Sequence, residues 1–302
     1  MRTISAGERR DRLARRHHLT PDAGSTDVAA LARRLVGLHA SDPATVFLSA
    51  RARIPSFAPA DLEVAMYEHG TVRKHLAMRR TLFVFPIDLL PVVHAACTGA
   101  VLARERERLA KDVERAGIAA DGKRWLSRAE RATLEALAGL GGATGAQLSK
   151  AVPELRAKIT IGEGRKWGGQ IGVAGRVCTI LAASGHIVRG RPSGSWTSSR
   201  HIWTLAAGDP IPVMDESEAR VELVRGWLTA FGPATLTDLA WWTGLGVTRI
   251  RQATAALGVV GSSEGRNAAH GATGGSGSRS SGSTTPGSPS RSTSTTPSAA
   301  VA

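Results

Sequence analysis

Cysteine is scarce. The 302-residue chain holds only Cys97 and Cys178, each in an apolar helical stretch and far from the other in sequence. A disulfide framework and a four-ligand zinc site are therefore not expected, and both thiols read as small buried hydrophobes in a reducing compartment. His/Glu and Cys/His spacings that hold a metal are missing too, so neither a metal nor any other cofactor is expected. No strand is predicted before Gly162, Gly164, Gly168 and Gly169, and no Lys-Ser/Thr follows them, which argues against a nucleotide cofactor. With no apolar run of about 18 residues and no anchoring amphipathic helix, a membrane partner is not expected. The start, MRTISAGERRDRLARRHHL, lacks the apolar centre of a signal peptide, so the expected location is cytoplasmic and nucleoid-associated. Acid is also in short supply: 25 Asp+Glu stand against 39 Lys+Arg, a net charge of +14 at pH 7. That balance calls for a polyanionic partner, and double-stranded DNA is the commonest.

What is present is organised around Ala143 to Leu205. Thr144 opens a short helix, and a glycine-bearing connector leads to a second helix. Val173, Val177, Ile180 and Leu181 recur there at helical spacing, and Gly185 stands where a left-handed cap belongs. The period then changes to two. Ile187 and Val188 begin one extended run, Ile202, Trp203 and Leu205 mark another, and Pro192 to Ser195 form the turn region between them. Helix, turn, helix and hairpin in this order predict a winged helix, a helix-turn-helix variant that lays its second helix in a DNA groove. Arg165, Lys166 and Arg176 flank or lie on that helix, and Arg189, Arg191 and Arg200 lie on the hairpin with Trp196 at its tip. These are the candidate DNA contacts, guanidinium groups for phosphates and an indole to stack or wedge. The competing reading has the arginines solvate an exposed hairpin while the tryptophans cover the core edge.

The flanking sequence predicts similar units. A helix capped by Ser25 or Thr26 carries the stripe Val28, Leu31, Leu35 and Leu38, and Asp42-Pro43 starts another running to about Arg53. A third helix, Ala60 to Glu68, precedes extended runs at Thr71 to His75 and Arg79 to Phe85. From Ile87 to about Gly117 the pattern is one long helix, or two broken at Pro91. Its segment RERERLAKDVER alternates in sign and reads as solvated helix surface. GATGAQL and PATLTDL, each after an apolar helix, form a faint internal repeat that supports a further unit. The expected fold is mainly α with small β-hairpins, an α+β chain of tandem winged-helix domains. Its parts are a first unit (1–86), a linking helical segment (87–126), a central unit (127–207) and an incomplete third unit (216–260). Residues 261–302 lack Leu, Ile, Met, Lys and aromatics, and are expected to be a disordered low-complexity tail. An out-of-frame reading of GC-rich coding sequence would yield the same composition.

LVGLHASDPATVFLSARAR, RKHLAMRRTLFVFP, the central helices with RGRPSGSW, and FGPATLTDLAWWTGL together resemble the AlkZ/YcaQ-type winged-helix DNA-binding family. The resemblance spans about residues 8 to 260. It implies a DNA glycosylase, a hydrolase of DNA repair that removes bulky or cross-linked alkyl adducts, built of three winged helices and a β-rich C-terminal part. It also implies that this chain lacks the end of the third unit and the β-rich part. The catalytic Gln-x-Gln pair that it implies falls on His39 and Ser41, which differ from glutamine. Expelling a cationic alkylated purine needs a positioned water and a stabilised sugar cation. Histidine, the side chain titrating nearest neutrality, could orient or deprotonate that water, and Ser41 could hold it. Alternatively, His39 is a helix C-terminal residue favoured by the dipole, and Ser41 or Asp42 caps the next helix. The resemblance further places Arg79 and Arg80, with Thr81, at the DNA backbone. A non-catalytic winged-helix regulator, or an inactive truncated product, is the alternative to an enzyme.

Overall fold

Side-chain caps set the helix starts in the computed structural model, which describes residues 4–258 apart from Ala23, Thr26, Glu163, Trp167 and Ser199. The tail expected beyond 260 lies outside the described residues. Ser5 caps α1 (Ala6–Arg16), and Asp27 caps α2 (Val28–Arg34), where Ser25 or Thr26 was expected. Strand β1 (Leu38–His39) comes next. Asp42 then caps α3 (Pro43–Arg51) with proline in its first turn, as the Asp-Pro signal predicts. After it come α4 (Pro59–Tyr67), β2 (Val72–Leu76) and β3 (Leu82–Pro86). The sheet order is β1-β3-β2, all antiparallel, with His39 and His75 opposite Phe83, and Leu38 and Lys74 opposite Val84.

The helical run Ile87–Arg115 contains α5 (Leu90–Val93), a π turn at His94–Thr98 and α6 (Gly99–Arg115). Pro91 does not break it, because it sits in the first turn, where its missing N–H has no helical acceptor. Contrary to expectation, an 18-residue window of this run has mean hydropathy 1.4, long and apolar enough by composition to cross a membrane. Val93, Ala96 and Cys97 from it lie inside an apolar cluster with Leu223 and Trp227, the environment of a core helix.

The central segment comprises α7 (Gly122–Leu140), α8 (Gly145–Ala151), β4 (Lys158–Ile161), β5 (Gly169–Gly172), α9 (Ala174–Ala183), β6 (Ile187–Pro192) and β7 (His201–Leu205). The glycine-bearing connector is thus a hairpin of its own, β4 against β5, which the sequence pattern did not reveal. Just before α8, Ala143 bridges Trp203 on β7. The same arrangement occurs at the first sheet, where β1 pairs with the second strand of the β2–β3 hairpin. Last come α10 (Glu216–Phe231), α11 (Leu236–Thr243) and α12 (Val247–Ala256). The GATGAQL and PATLTDL repeat has a physical basis: Thr144 with Gln147, and Thr235 with Asp238, both form capping boxes.

Strand β3 is covered on both faces. Phe83 and Phe85 meet Trp227, Leu239 and Ile250 of α10 to α12, while Val84 and Leu38 meet Leu31, Val46 and Leu62 of α2 to α4. Cys97 and Cys178 are free and buried, and burial pushes each thiol up to about 12.

One buried pair carries a pH dependence. His75 is 2% exposed, and its Nε2 lies 3.4 Å from Nδ1 of His94. Burial first, then the neighbouring His94, pushes His75 down to about 3, and burial lowers His94 as well. Both rings bind protons more readily once unfolded. The stability they allow is therefore complete above the unfolded value near pH 6.5 and is lost as pH falls from there towards 3. Between pH 7 and 5, His75 alone should cost about 2 kcal/mol. Urea unfolding at the two pH values should show that loss shrink in His75→Phe. An equal loss in both proteins would contradict the assignment.

Candidate functional site

Helix α2 closes on itself before the candidate pair. The Val36 N–H donates to Arg33 O at 3.2 Å and the Gly37 N–H to Ala32 O at 2.7 Å. Val36 and Gly37 turn the chain with φ of 56° and 102°. The glycine lies so close to Phe85 that an added Cβ would stand 2.5 Å from the ring. Beyond this turn the side chains alternate. Leu38 and Ala40 are buried, whereas His39 and Ser41 are exposed, so strand periodicity puts both candidates on the outward side. The Ala40 N–H donates to Leu82 O at 2.8 Å and holds the segment to β3. The Leu82 N–H approaches Ser41 Oγ at 3.4 Å.

This geometry bears on the helix-end roles open to each candidate. His39 is not a helix C-terminal residue, since α2 ends at Arg34 and His39 is in a strand. The cap of α3 is Asp42, whose carboxylate accepts from the Ala44 N–H at 2.9 Å, which leaves the Ser41 hydroxyl outside that role. His39 stands edge-on to Phe83, with ring centroids 5.4 Å apart, and Phe83 leads on to Trp242 at 6.0 Å. An aromatic path rooted in α10 and α11 thus supports the imidazole.

The basic candidates divide into exposed groups and groups docked on the protein. Arg79 and Arg80 occupy the β2–β3 loop, both with positive φ. The Arg79 guanidinium covers Trp241 at 4.3 Å, and Arg80 pairs with Glu105 at 2.8 Å. Arg165 and Lys166 are exposed in the β4–β5 connection and not on α9, and Arg200 is exposed before β7. Arg176, expected on a DNA-facing helix, points inward. Its side chain is 15% exposed and lies 2.6 Å from Asp112, tying α9 to α6. The hairpin tip does not project. Arg191 binds Glu63 and Glu68, each at 2.6 Å, and covers Tyr67, while Trp196 packs on Phe47 at 4.8 Å. Arg189 lies over Trp203 at 4.6 Å, and burial lowers it to about 10. The physical reason is complementarity: the Glu63 carboxylate and Tyr67 phenol of α4, with the Glu68 carboxylate just past its end, receive the Arg191 guanidinium.

A family model described as DNA glycosylase AlkZ-like matches residues 32–280, most of the chain. The chain belongs to this AlkZ-like DNA glycosylase family. Among solved structures, the Streptomyces sahachiroi DNA glycosylase AlkZ resembles it with a TM-score of 0.58 at 18% identity, over 85% of this chain. The chain spans 66% of that protein, just under two thirds of its length. No curated protein matches by sequence. At that identity the structural likeness bears on fold alone. It agrees with the expectation of a mainly helical α+β chain with small sheets.

A cavity of about 910 Å³ in this AlkZ-like chain lies away from the candidate pair, between β2 and the β6–β7 hairpin. Lys74 lines it, and burial, with the charge of Arg189 second, lowers Lys74 to about 8. Lys74 pairs with Val84 and His39 with the adjacent Phe83, so the two side chains leave opposite faces of the sheet. Arg189 lines this cavity, and with Trp196 it also lines a smaller recess beside Lys74. No sequence signal marks Lys74, because a lone lysine in a short strand has no local pattern to stand out from. Lys74 and His39, on opposite faces of the sheet, cannot reach one substrate atom together.

Proposed function

We propose that this AlkZ-like chain hydrolyses the N-glycosidic bond of bulky alkylated or cross-linked bases in double-stranded DNA, which it grips with tandem winged helices. One observation carries the reading: His39 on β1 and Ser41 just past its end are both exposed, with the intervening Ala40 buried and Asp42 engaged as a cap. His39 accepts a proton from a water held by the Ser41 hydroxyl. The water oxygen bonds to the sugar C1′ as the C1′–N bond breaks, and its electron pair leaves with the cationic base. The resemblance implies glutamines at these positions, and an imidazole with a hydroxyl supplies the same polar reach.

Support for winged helices comes from the recurring strand–helix–helix–hairpin order, with β1 and Ala143 in equivalent places. Arg79, Arg80, Arg165, Lys166 and Arg200 are the exposed cations offered to phosphates in this reading. Arg176, Arg189, Arg191 and Trp196 hold the protein's own parts together. An open surface suits adducts too large for the snug pocket of a base-flipping enzyme.

The test is a duplex carrying N7-alkylguanine, incubated with the chain and then treated with alkali. Scission at the lesion above a protein-free control is expected, and its absence would remove the enzyme reading. The second reading is a non-catalytic DNA-binding regulator. The observation behind it is that His39 and Ser41 replace the implied pair, and duplex binding without scission is its signature.

A further inference from the structure

Sequence alternation conceals a concentration of charge. In RERERLAKDVER the charges take different partners once α6 is folded. Arg106 turns to Glu130 on α7, and Glu107 to Lys111 and Lys123, each at 3.2 Å. Arg104 and Arg108, four residues apart, lie along one side of α6, which Glu107 and Lys111 border. There they line a recess of about 460 Å³ together with Arg79 and Arg80 of the β2–β3 loop and Arg249 of α12. Glu105 is the acid among the lining residues, and Arg80 already engages it at 2.8 Å. Among the described residues, no ion pair is made by Arg104, Arg108 or Arg249, and all three are exposed.

Five guanidinium groups around one carboxylate repel one another, and the arrangement becomes favourable when a polyanion fills the recess. The backbone is arranged for the same end. Arg79 and Arg80 take φ of 53° and 62°, a conformation that side-chain-bearing residues rarely adopt, and such outliers gather at ligand clamps. Gly244 at the end of α11 lets the loop approach closely, since a Cβ there would meet Arg79 at 3.2 Å. Arg79 lies on Trp241, which is 67% exposed. The next residue, Trp242, reaches His39 through Phe83.

We propose that this recess binds consecutive phosphates of the DNA backbone alongside the His39 site, which adds Arg104, Arg108 and Arg249 to the DNA contacts. The proposal rests on the reading of the chain as a DNA glycosylase and extends it to α6 and α12, neither of which belongs to a hairpin.

The test compares full-length wild type, Arg108→Ala/Arg249→Ala and Arg124→Ala/Arg128→Ala by fluorescence anisotropy with a labelled duplex over a salt series. The third protein loses the same two charges from exposed positions on α7, outside the recess. Losing two phosphate contacts should reduce the slope of log affinity against log salt by about 1.8. Duplex affinity near 0.1 M salt should fall by at least about tenfold, with the melting temperature unchanged. The α7 variant should keep the wild-type slope. A recess variant whose slope equals that of wild type, or falls no further than that of the α7 variant, overturns the recess assignment and leaves the DNA reading intact. Duplex binding by wild type that is absent or insensitive to salt overturns the DNA reading itself.

Discussion

Replacing His39 by alanine should slow release of N7-alkylguanine from duplex DNA by about 10²- to 10⁴-fold, the range for losing a positioned general base. Duplex affinity and melting temperature should stay near wild type, because the imidazole is exposed and its ring contact with Phe83 is edge-on. The effect should lie in the single-turnover rate and not in binding, since the role proposed for His39 is on the water and not on the phosphates. Ser41→Ala should cost about tenfold, the worth of one hydrogen bond to the same water. If His39→Ala retained the full single-turnover rate, water activation would belong elsewhere.

The second large effect is expected at Gly37. Its φ of 102° is closed to residues with a Cβ, and that Cβ would stand 2.5 Å from Cε1 and 2.8 Å from Cδ1 of Phe85. Phe85 is fully buried between α10 and the helical run after β3, so its ring has nowhere to retreat. Gly37→Ala should therefore destabilise the chain by about 2–4 kcal/mol, backbone strain and overpacking combined. The same substitution should reduce excision more than the folded fraction explains, because residue 37 sets the direction in which β1 carries His39. A Gly37→Ala protein with unchanged urea midpoint and rate would show that the turn adapts freely.

Much of this architecture is local, and local features are legible in a sequence. Asp42-Pro43, Thr144 with Gln147, and Thr235 with Asp238 each announce a helix within four residues, because a cap and its N–H partners are neighbours in the chain. Gly185, with φ of 83°, ends the α9 turn as its position suggested. The β4–β5 hairpin was not legible, since strands as short as Lys158–Ile161 and Gly169–Gly172 carry too few residues to establish a period of two.

By itself the sequence determined the mainly helical α+β class, the pairs of helices leading into hairpins, the burial of both cysteines and the family. The first three come from periodicity and caps along one stretch of chain, and the family from the resemblance of its motifs. Where each charge acts was decided by tertiary structure. Arg176 and Arg191 are engaged by Asp112, Glu63 and Glu68, whereas Arg104, Arg108 and Arg249 converge from separate helices on one recess. Likewise, only the folded sheet turns His39 from a residue near a helix end into an outward strand position beside Ser41. A Coulomb interaction or a strand pairing depends on distance in space, and residues far apart in sequence acquire that distance only when the cores around β3 and α9 close.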